Sequence, residues 1–140
     1  MARSVVFTVG YEDRTPDELI ELLARAGVRR VVDVRALPLS RRRGFSKTPL
    51  REALAAHRID YVHLRDAGNP YRELRADPKR CLRLYARYLD AHPAVLDAVE
   101  AAVSERRSAL LCVEAGPECC HRSVIANRLA RAKRFSVKHL

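Results

Sequence analysis

The sequence lacks the features of membrane-spanning and disulfide-stabilised proteins. No apolar run approaches the roughly 18 residues that cross a bilayer, and the first residues lack the apolar stretch of a signal peptide. The four cysteines, Cys81, Cys112, Cys119 and Cys120, are too few and too unevenly spaced for a disulfide framework. We therefore expect a cytoplasmic protein with no membrane association, in which these thiols stay reduced.

What the sequence does contain is an ordinary globular composition with a large excess of basic residues. The 140 residues are 48% hydrophobic and 31% charged, close to the average of globular proteins, and they predict a single domain over residues 1–140. Lys and Arg number 27 against 17 Asp and Glu, a formal net charge of +10. Such an excess attracts nucleic acid and other polyanions, although a GC-rich genome alone also enriches arginine. The positions of the basic residues in the fold, rather than their total number, must therefore indicate function.

Strand and helix patterns alternate along the chain. β-branched runs predict strands, whereas capping residues and apolar faces of helical spacing predict helices. The clearest start is the capping box of Thr15 and Glu18, with Pro16 in the first helical position. The predicted strands are residues 4–10, 28–34, 59–64, 109–113 and 136–140. The predicted helices are residues 16–26, 48–57, 77–91, 93–105 and 120–132.

This alternation predicts an α/β fold, a single-domain, three-layer, Rossmann-like structure with a mostly parallel five-stranded sheet. We favour the strand order 3-2-1-4-5 and keep a flavodoxin-like order as the alternative. Ligands of such sheets bind outside the carboxyl ends of the strands, where the strand order reverses. The favoured order places Tyr11 and Glu12, after strand one, opposite Cys112 and Glu114 of strand four.

Charged side chains at these strand ends predict an anion-binding cleft. Asp33 and Arg35 lie two residues apart on one strand and therefore point to one face, and buried charges need partners. Arg122 begins the last helix, where free amides and the helix dipole attract phosphate or carboxylate. Because an arginine there opposes the dipole, a bound anion would stabilise it. A salt bridge from Arg122 to Glu114 or Asp33 is the structural alternative.

The loop after strand four also carries groups suited to metal binding or nucleophilic chemistry. The cysteines, His121 and Glu114 can all bind zinc, but adjacent cysteines seldom reach one ion and no second ligand pair exists elsewhere. We therefore predict no metal site and no cofactor. Cys112 or Cys120 beside His121 could be a reactive thiolate, or each could be a small buried core residue. The anion loop of rhodanese domains is absent, because Glu118 stands where its closing arginine would be.

Carboxylate chemistry is the remaining interpretation. Glu12 and Glu114 would face each other if strands one and four are neighbours, and a carboxylate beside arginines and a helix N-terminus stays ionised. Such a group can act as nucleophile or base at a glycosidic carbon while arginines hold a neighbouring phosphate. The alternative is that both carboxylates only neutralise Arg35 and Arg122.

Residues 40–47, which we name the basic loop, are predicted to overhang this cleft. Arg41 to Arg43 could hold phosphates, and Phe45 could stack a base, an interaction of about 1–3 kcal/mol per base. Tyr11 could stack a ligand in the same way or roof the core. A solvated run of charge is the alternative for the loop.

Six ordered motifs resemble those of the DUF488 family, of the type that carries a Gly-Tyr-Glu motif. The resemblance runs almost from end to end and implies a single α/β domain. It also implies a nucleic-acid-associated or N-glycosidase-like enzyme, although the family name records a domain of unknown function. The motifs are residues 8–12, 32–35, 38–41 with 44–47, 61–64, 68–70 and 112–123.

These features predict an enzyme that acts on a nucleotide, nucleic acid or other phosphorylated ligand, with carboxylate-assisted N-glycosidic cleavage, a hydrolase reaction, as the candidate chemistry. A non-catalytic module that binds nucleic acid or a partner through the same basic cleft is the alternative. The oligomeric state is left open. The predicted catalytic residues are Glu114, Glu12 and His121, of which the histidine could exchange protons near neutral pH. The predicted substrate-binding residues are Tyr11, Asp33, Arg35, Arg41, Phe45 and Arg122.

Overall fold

The predicted strands form one sheet that is covered by helices on both faces. A computed structural model describes residues 4–133 and 135–140, without the side chains of Cys119 and Lys133. The strands are β1 (Ser4–Gly10), β2 (Arg30–Asp33), β3 (Asp60–His63), β4 (Ser108–Cys112) and β5 (Phe135–His139). The helices are α1 (Pro16–Arg25), α2 (Lys47–Ala55), α3 (Pro78–Ala91), α4 (Pro93–Glu105) and α5 (His121–Lys133). Short 3₁₀ segments at Arg65–Ala67, Arg72–Leu74 and Pro117–Cys119 lie in the connections.

All pairings among these strands are parallel, and their order is β3-β2-β4-β1-β5. The α/β class and the parallel five-stranded sheet are therefore confirmed, and β3 and β5 lie at the two edges as predicted. In the centre the order differs from 3-2-1-4-5, because β4 rather than β1 pairs with β2. Every residue of β4 is buried, as are the last five of β1. The apolar pattern therefore does not distinguish which of the two strands lies beside β2.

The two faces of the sheet are covered by different helices. Phe7 and Val9 of β1 share a core with residues of α1 and α2. Val6 of β1 and Leu110 of β4 share a second core with residues of α3, α4 and α5. Successive strand residues therefore enter different layers, as the pleat requires, and this gives the three-layer arrangement. Within the described part of the chain, the helices are too short or too polar to cross a membrane.

The predicted capping box begins α1. The Glu18 amide donates to Thr15 Oγ1 (3.1 Å), and the Thr15 amide donates to Glu18 Oε1 (2.8 Å). Pro16 occupies the start of the helix, where its missing amide hydrogen costs nothing. The two hydrogen bonds satisfy amides that would otherwise lack partners, and so the helix begins where the sequence predicts.

Candidate functional site

A cavity of about 250 Å³ opens at the carboxyl ends of β2 and β4. It lies on the α3–α5 side of the sheet, because residues of α3 and α5 line it. Drug-sized ligands occupy sites of roughly 300–1,000 Å³, so this cavity fits a small molecule or one part of a larger one. Its ionisable lining residues are Arg35, Arg72, Arg75, Cys81, Cys112, Glu114 and His121.

The backbone after β4 holds Glu114 at this cavity. The Glu114 carbonyl accepts a hydrogen bond from Arg122 Nη1 (2.6 Å), and a Cβ on Gly10 would lie 1.7 Å from the same oxygen. Glycine at position 10 is therefore needed for the approach. In the side chain of Glu114, Oε2 is buried and has no hydrogen-bond partner among the described residues. A buried carboxylate oxygen without a donor is unfavourable, so a ligand that supplies one would be stabilised.

Cys112, Cys120 and His121 form a buried cluster on the same side of the sheet. Nδ1 of His121 lies 3.8 Å from Cys112 Sγ and 3.9 Å from Cys120 Sγ. Nε2 of His121 lies 2.7 Å from the Val34 carbonyl oxygen. Because a carbonyl oxygen only accepts, Nε2 carries the hydrogen and donates it. Both ring nitrogens are thus engaged within the protein, which does not favour the predicted proton exchange between His121 and a ligand.

The pKa values of two residues in this cluster, Cys120 and His121, are both raised. Burial raises the pKa of the Cys120 thiol well above its ordinary value, because the charged thiolate is disfavoured away from water. The thiol form is therefore retained at neutral pH, and a reactive thiolate is not favoured at this position. For His121, burial lowers the pKa, but the contact with Cys120 and the bond to Val34 outweigh burial and raise it.

Arg72 and Arg75 bring positive charge to the cavity, and sequence analysis did not select them. Both are exposed, and both line the cavity from the segment between β3 and α3. This segment is held by Asn69, whose Oδ1 accepts from the Tyr71 amide (2.8 Å). A Cβ on Gly68 would lie 2.3 Å from the backbone at Ala36. The Gly68-Asn69-Pro70 motif therefore packs against the chain after β2 and could have directed attention to the arginines that follow it.

Asp33 and Arg35 form a buried ion pair at the end of β2. Oδ2 of Asp33 lies 2.7 Å from Arg35 Nη2, and the two side chains are 0% and 3% exposed. Arg35 Nη1 also donates to the Tyr11 hydroxyl (3.2 Å) and to the Phe45 carbonyl (2.7 Å). Burial disfavours the cation, but Asp33 and Tyr11 outweigh burial and raise the pKa of Arg35 above its ordinary value. The guanidinium is thus neutralised within the protein, although Arg35 is among the residues that line the cavity.

The aromatic rings of Tyr11 and Phe45 stack on each other. Their centroids are 4.4 Å apart with an interplanar angle of 12°. Tyr11 is 2% exposed and Phe45 is 1% exposed, so neither ring presents a face on which a base could stack. Both belong to the core shared with α1 and α2. Tyr11 is therefore a core residue, which was the alternative to stacking on a ligand.

Arg42 fastens the basic loop to the chain that follows β1. Its guanidinium donates to three backbone carbonyls within residues 11–14, and it lies over the Phe45 ring, 5.1 Å from the ring centroid. Arg41 and Arg43 are exposed. The loop is therefore anchored by its middle arginine, and its two flanking arginines are accessible from solvent.

Glu12 and Arg122 support the loop that follows β4. Glu12 is exposed, and its Oε1 accepts from the Ala115 amide (3.2 Å). Arg122 is 0% exposed and donates to the carbonyls of Glu114 (2.6 Å) and Ala115 (3.3 Å). Its Nε is buried without a hydrogen-bond partner among the described residues. The partners of Arg122 are therefore backbone carbonyls, and not the carboxylate of Glu114 or Asp33 that was the structural alternative.

The cavity thus brings together only part of the predicted site. Arg35, Glu114 and His121 line it. The guanidinium groups of Arg35 and Arg122, which are predicted to bind one anion, both donate to protein acceptors. Within the described residues, the predicted site residues outside the cavity lining are Tyr11, Glu12, Asp33, Arg41, Phe45 and Arg122.

Comparison with known proteins gives one match. The family model described as Domain of unknown function DUF488 matches residues 15–129, a range that includes every residue lining the cavity. The Gly-Tyr-Glu motif at residues 10–12 precedes the matched range. Neither the curated proteins nor the solved structures include a match to the chain.

Proposed function

The chain belongs to the DUF488 family, whose model covers residues 15–129, and we propose that it is an enzyme that acts on a nucleotide, nucleic acid or other phosphorylated ligand in the cavity at its strand ends. The observation that carries this proposal is the carboxylate of Glu114. Its Oε2 is buried without a hydrogen-bond partner among the described residues, at the lining of a cavity. Free energy spent on burying an unpaired polar oxygen is recovered when a ligand donates to it.

The charges around the cavity support a phosphorylated ligand. Arg72 and Arg75 line the cavity and are exposed to solvent, so a phosphate can reach their guanidinium groups. Guanidinium matches phosphate with paired hydrogen bonds. The arginines bind the phosphate in this proposal, and the reacting carbon of the ligand lies against Glu114.

N-glycosidic hydrolysis is the reaction that we propose for this arrangement. The bond between the anomeric carbon and the base nitrogen breaks, and its electron pair leaves with the base. Positive charge develops on the sugar, and the Glu114 carboxylate stabilises it. Water then supplies hydroxide to the anomeric carbon and a proton to the departing base, so the products are the free sugar phosphate and the free base.

The experiment is to incubate the protein with nucleoside 5′-monophosphates and to measure base release by chromatography and binding by calorimetry. We expect Glu114→Gln to bind ligand but to lower the rate of base release by about a hundredfold or more, the usual effect of losing a positioned catalytic group. Unchanged base release in this variant would overturn the catalytic role.

The arginines have a matched control. We expect the double variant Arg72→Ala/Arg75→Ala to weaken nucleotide binding at least tenfold. The double variant Arg51→Ala/Arg87→Ala removes two exposed arginines that do not line the cavity, and it should bind as the wild type does. Equal losses in the two double variants would assign the effect to net charge rather than to the cavity.

A non-catalytic nucleic-acid-binding module is the second candidate. The exposure of Arg41 and Arg43 on the basic loop, together with the net charge of +10, favours it. Phosphate contacts from exposed arginines need no cavity and no carboxylate. In this alternative, Glu114→Gln leaves every measured property unchanged, whereas substitutions of Arg41 and Arg43 weaken binding.

A further inference from the structure

The loop between β4 and α5 brings three metal-ligating side chains together. Cys112 ends β4, the 3₁₀ segment Pro117–Cys119 follows, and Cys120 and His121 lead into α5. One ligand atom from each of Cys112, Cys120 and His121 lies within 4.8 Å of the others. We propose that these three residues bind a zinc ion whose fourth coordination position opens into the cavity.

The spacing of the donor atoms fits a tetrahedral ion. Zn–S bonds of about 2.3 Å and Zn–N bonds of about 2.0–2.1 Å, at tetrahedral angles, place sulfur and nitrogen about 3.6 Å apart. The distances from His121 Nδ1 are 3.8 Å to Cys112 Sγ and 3.9 Å to Cys120 Sγ. Small side-chain rotations close this difference without movement of the strand or helix.

The Val34 carbonyl orients the imidazole for this role. It lies 2.7 Å from His121 Nε2, so the hydrogen of the neutral ring is on Nε2 and the lone pair is on Nδ1, which faces both sulfurs. Metal-binding histidines commonly donate their other N–H to a carbonyl or carboxylate, which fixes the tautomer and the ring orientation. The outer partner that such a site requires is therefore already in place.

Charge balance also favours a divalent cation. When the ion binds, each thiol releases one proton to water, and the two thiolate sulfurs and Nδ1 each form one bond to the metal. No electron is transferred. Two thiolates neutralise the two positive charges of the ion, and a neutral centre is the kind that burial tolerates. Cys112 and Cys120 are 5% and 1% exposed and His121 is 6% exposed, so a centre with net charge would be disfavoured at this position.

The position of the ligands at the cavity favours an open site. Among the described residues, the group contains these three side chains and no fourth histidine, cysteine or carboxylate. Structural zinc sites have four protein ligands, whereas sites that bind water or substrate keep one position free. Cys112 and His121 line the cavity, so water or a ligand atom can approach the free position from there.

Zinc is not predicted from the sequence because Cys119 and Cys120 are adjacent and because no second ligand pair exists elsewhere in the chain. The structure does not require these neighbours to share an ion, because Cys120 is grouped with Cys112 at the end of the preceding strand. Eight positions separate the two in the sequence, a spacing that a strand, a turn and a helix start convert into proximity.

Cobalt(II) is the probe for the first test, because tetrahedral thiolate complexes of cobalt absorb strongly while zinc is silent. We titrate the reduced, metal-free full chain with cobalt and expect a sulfur-to-cobalt charge-transfer band that saturates at one ion per chain and is displaced by zinc. Cys112→Ser and Cys120→Ser should each lower the cobalt affinity at least tenfold. Cys81→Ser is the matched control, since Cys81 is buried and lines the same cavity but is not in the group.

A second measurement uses the wild type alone, in case a variant does not fold. Alkylation by iodoacetamide, followed by mass spectrometry, should be slowed by zinc at Cys112 and Cys120 and not at Cys81. The absence of the charge-transfer band, a band that survives both ligand substitutions, or equal protection of all three cysteines would overturn the metal site. These readouts do not depend on activity. A wild-type protein that shows the cobalt band but does not bind nucleotides would overturn only the proposed function.

Discussion

At the end of β2, the carboxylate of Asp33 and the guanidinium of Arg35 neutralise each other inside the protein. Three nitrogen-to-oxygen contacts of 2.7 to 3.1 Å join the two side chains. Through Phe45, the pair also fastens the basic loop to the sheet. A charge pair of this kind is strongly sensitive to the loss of one partner, because the other charge is left buried and uncompensated.

We therefore predict that Asp33→Asn lowers the free energy of unfolding by about 3–5 kcal/mol, as breaking a buried pair does. Urea unfolding at neutral pH measures the change. The matched control is Glu21→Gln, which breaks an exposed pair with Arg25 one helical turn away and should change stability by less than about 0.5 kcal/mol. A loss below about 1 kcal/mol for Asp33→Asn would show that Arg35 finds other compensation.

The positions of both charges were predictable from the sequence, but their partners were not. Asp33 and Arg35 were expected to share a face and to need compensation, and they do. The choice between a bound anion and an internal partner depends on whether the arginine side chain turns back along its own strand. Short-range spacing does not determine that rotamer. The stacking of Tyr11 on Phe45 depends in the same way on contacts made only in the folded chain.

At the scale of the elements, the position of Glu114 depends on the close approach of the chain after β4 to the end of β1. Gly10 ends β1, and the Tyr11 and Glu12 amides continue its pairing by donating to the carbonyls of Cys112 (3.3 Å) and Val113 (2.9 Å). The Glu114 carbonyl then passes over Gly10, where only a hydrogen atom fits. The position of Glu114 in the cavity therefore depends on the absence of a side chain at position 10.

We predict that Gly10→Ala displaces this loop, lowers stability by about 1–3 kcal/mol as overpacking does, and weakens nucleotide binding at least tenfold. Thermal unfolding and calorimetry measure the two effects. Gly27→Ala is the control, because Gly27 has a φ of 73° but a Cβ there would meet nothing closer than 3.4 Å. It should cost about 1–2 kcal/mol through backbone strain and leave binding unchanged. Normal nucleotide binding by Gly10→Ala would show that the close approach of the Glu114 carbonyl to Gly10 is not needed for binding in the cavity.

The regular elements were predictable, and the short ones were not. Strands and helices carry a repeating apolar pattern, and the capping box at Thr15 marks a helix start chemically. The 3₁₀ segment Arg72–Leu74 is too short to show a repeat, and it lies between the predicted strand at residues 59–64 and the predicted helix at residues 77–91. Because Arg72 lies in this segment and Arg75 follows it, two of the charged cavity residues were missed.

For the whole molecule, the net charge of +10 becomes meaningful only where arginines are accessible. Arg35 and Arg122 are buried and donate to acceptors within the protein. Arg41 and Arg43 remain exposed. The total charge therefore overstates the charge that a polyanion can reach, and the basic loop is where the binding-module alternative is testable.

If that alternative holds, the logarithm of the affinity for a single-stranded oligonucleotide falls linearly with the logarithm of salt concentration, with a slope set by the number of phosphate contacts. We predict that the double variant Arg41→Ala/Arg43→Ala reduces the steepness of this slope by about 0.7 per lost contact, the value for single strands. Fluorescence anisotropy across a salt series measures the slope. Arg51→Ala is the single-residue control, and an unchanged slope in the double variant would exclude the basic loop as the interface.

The central place of β4 has a consequence for the synthesis of the chain. β1 pairs with β4 and β5, and β2 pairs with β3 and β4, so neither early strand can join the other before β4 leaves the ribosome. Until then, the apolar β1 has two unsatisfied edges, and such edges invite association with other chains. The sheet is completed only around a strand that is translated after β1, β2 and β3.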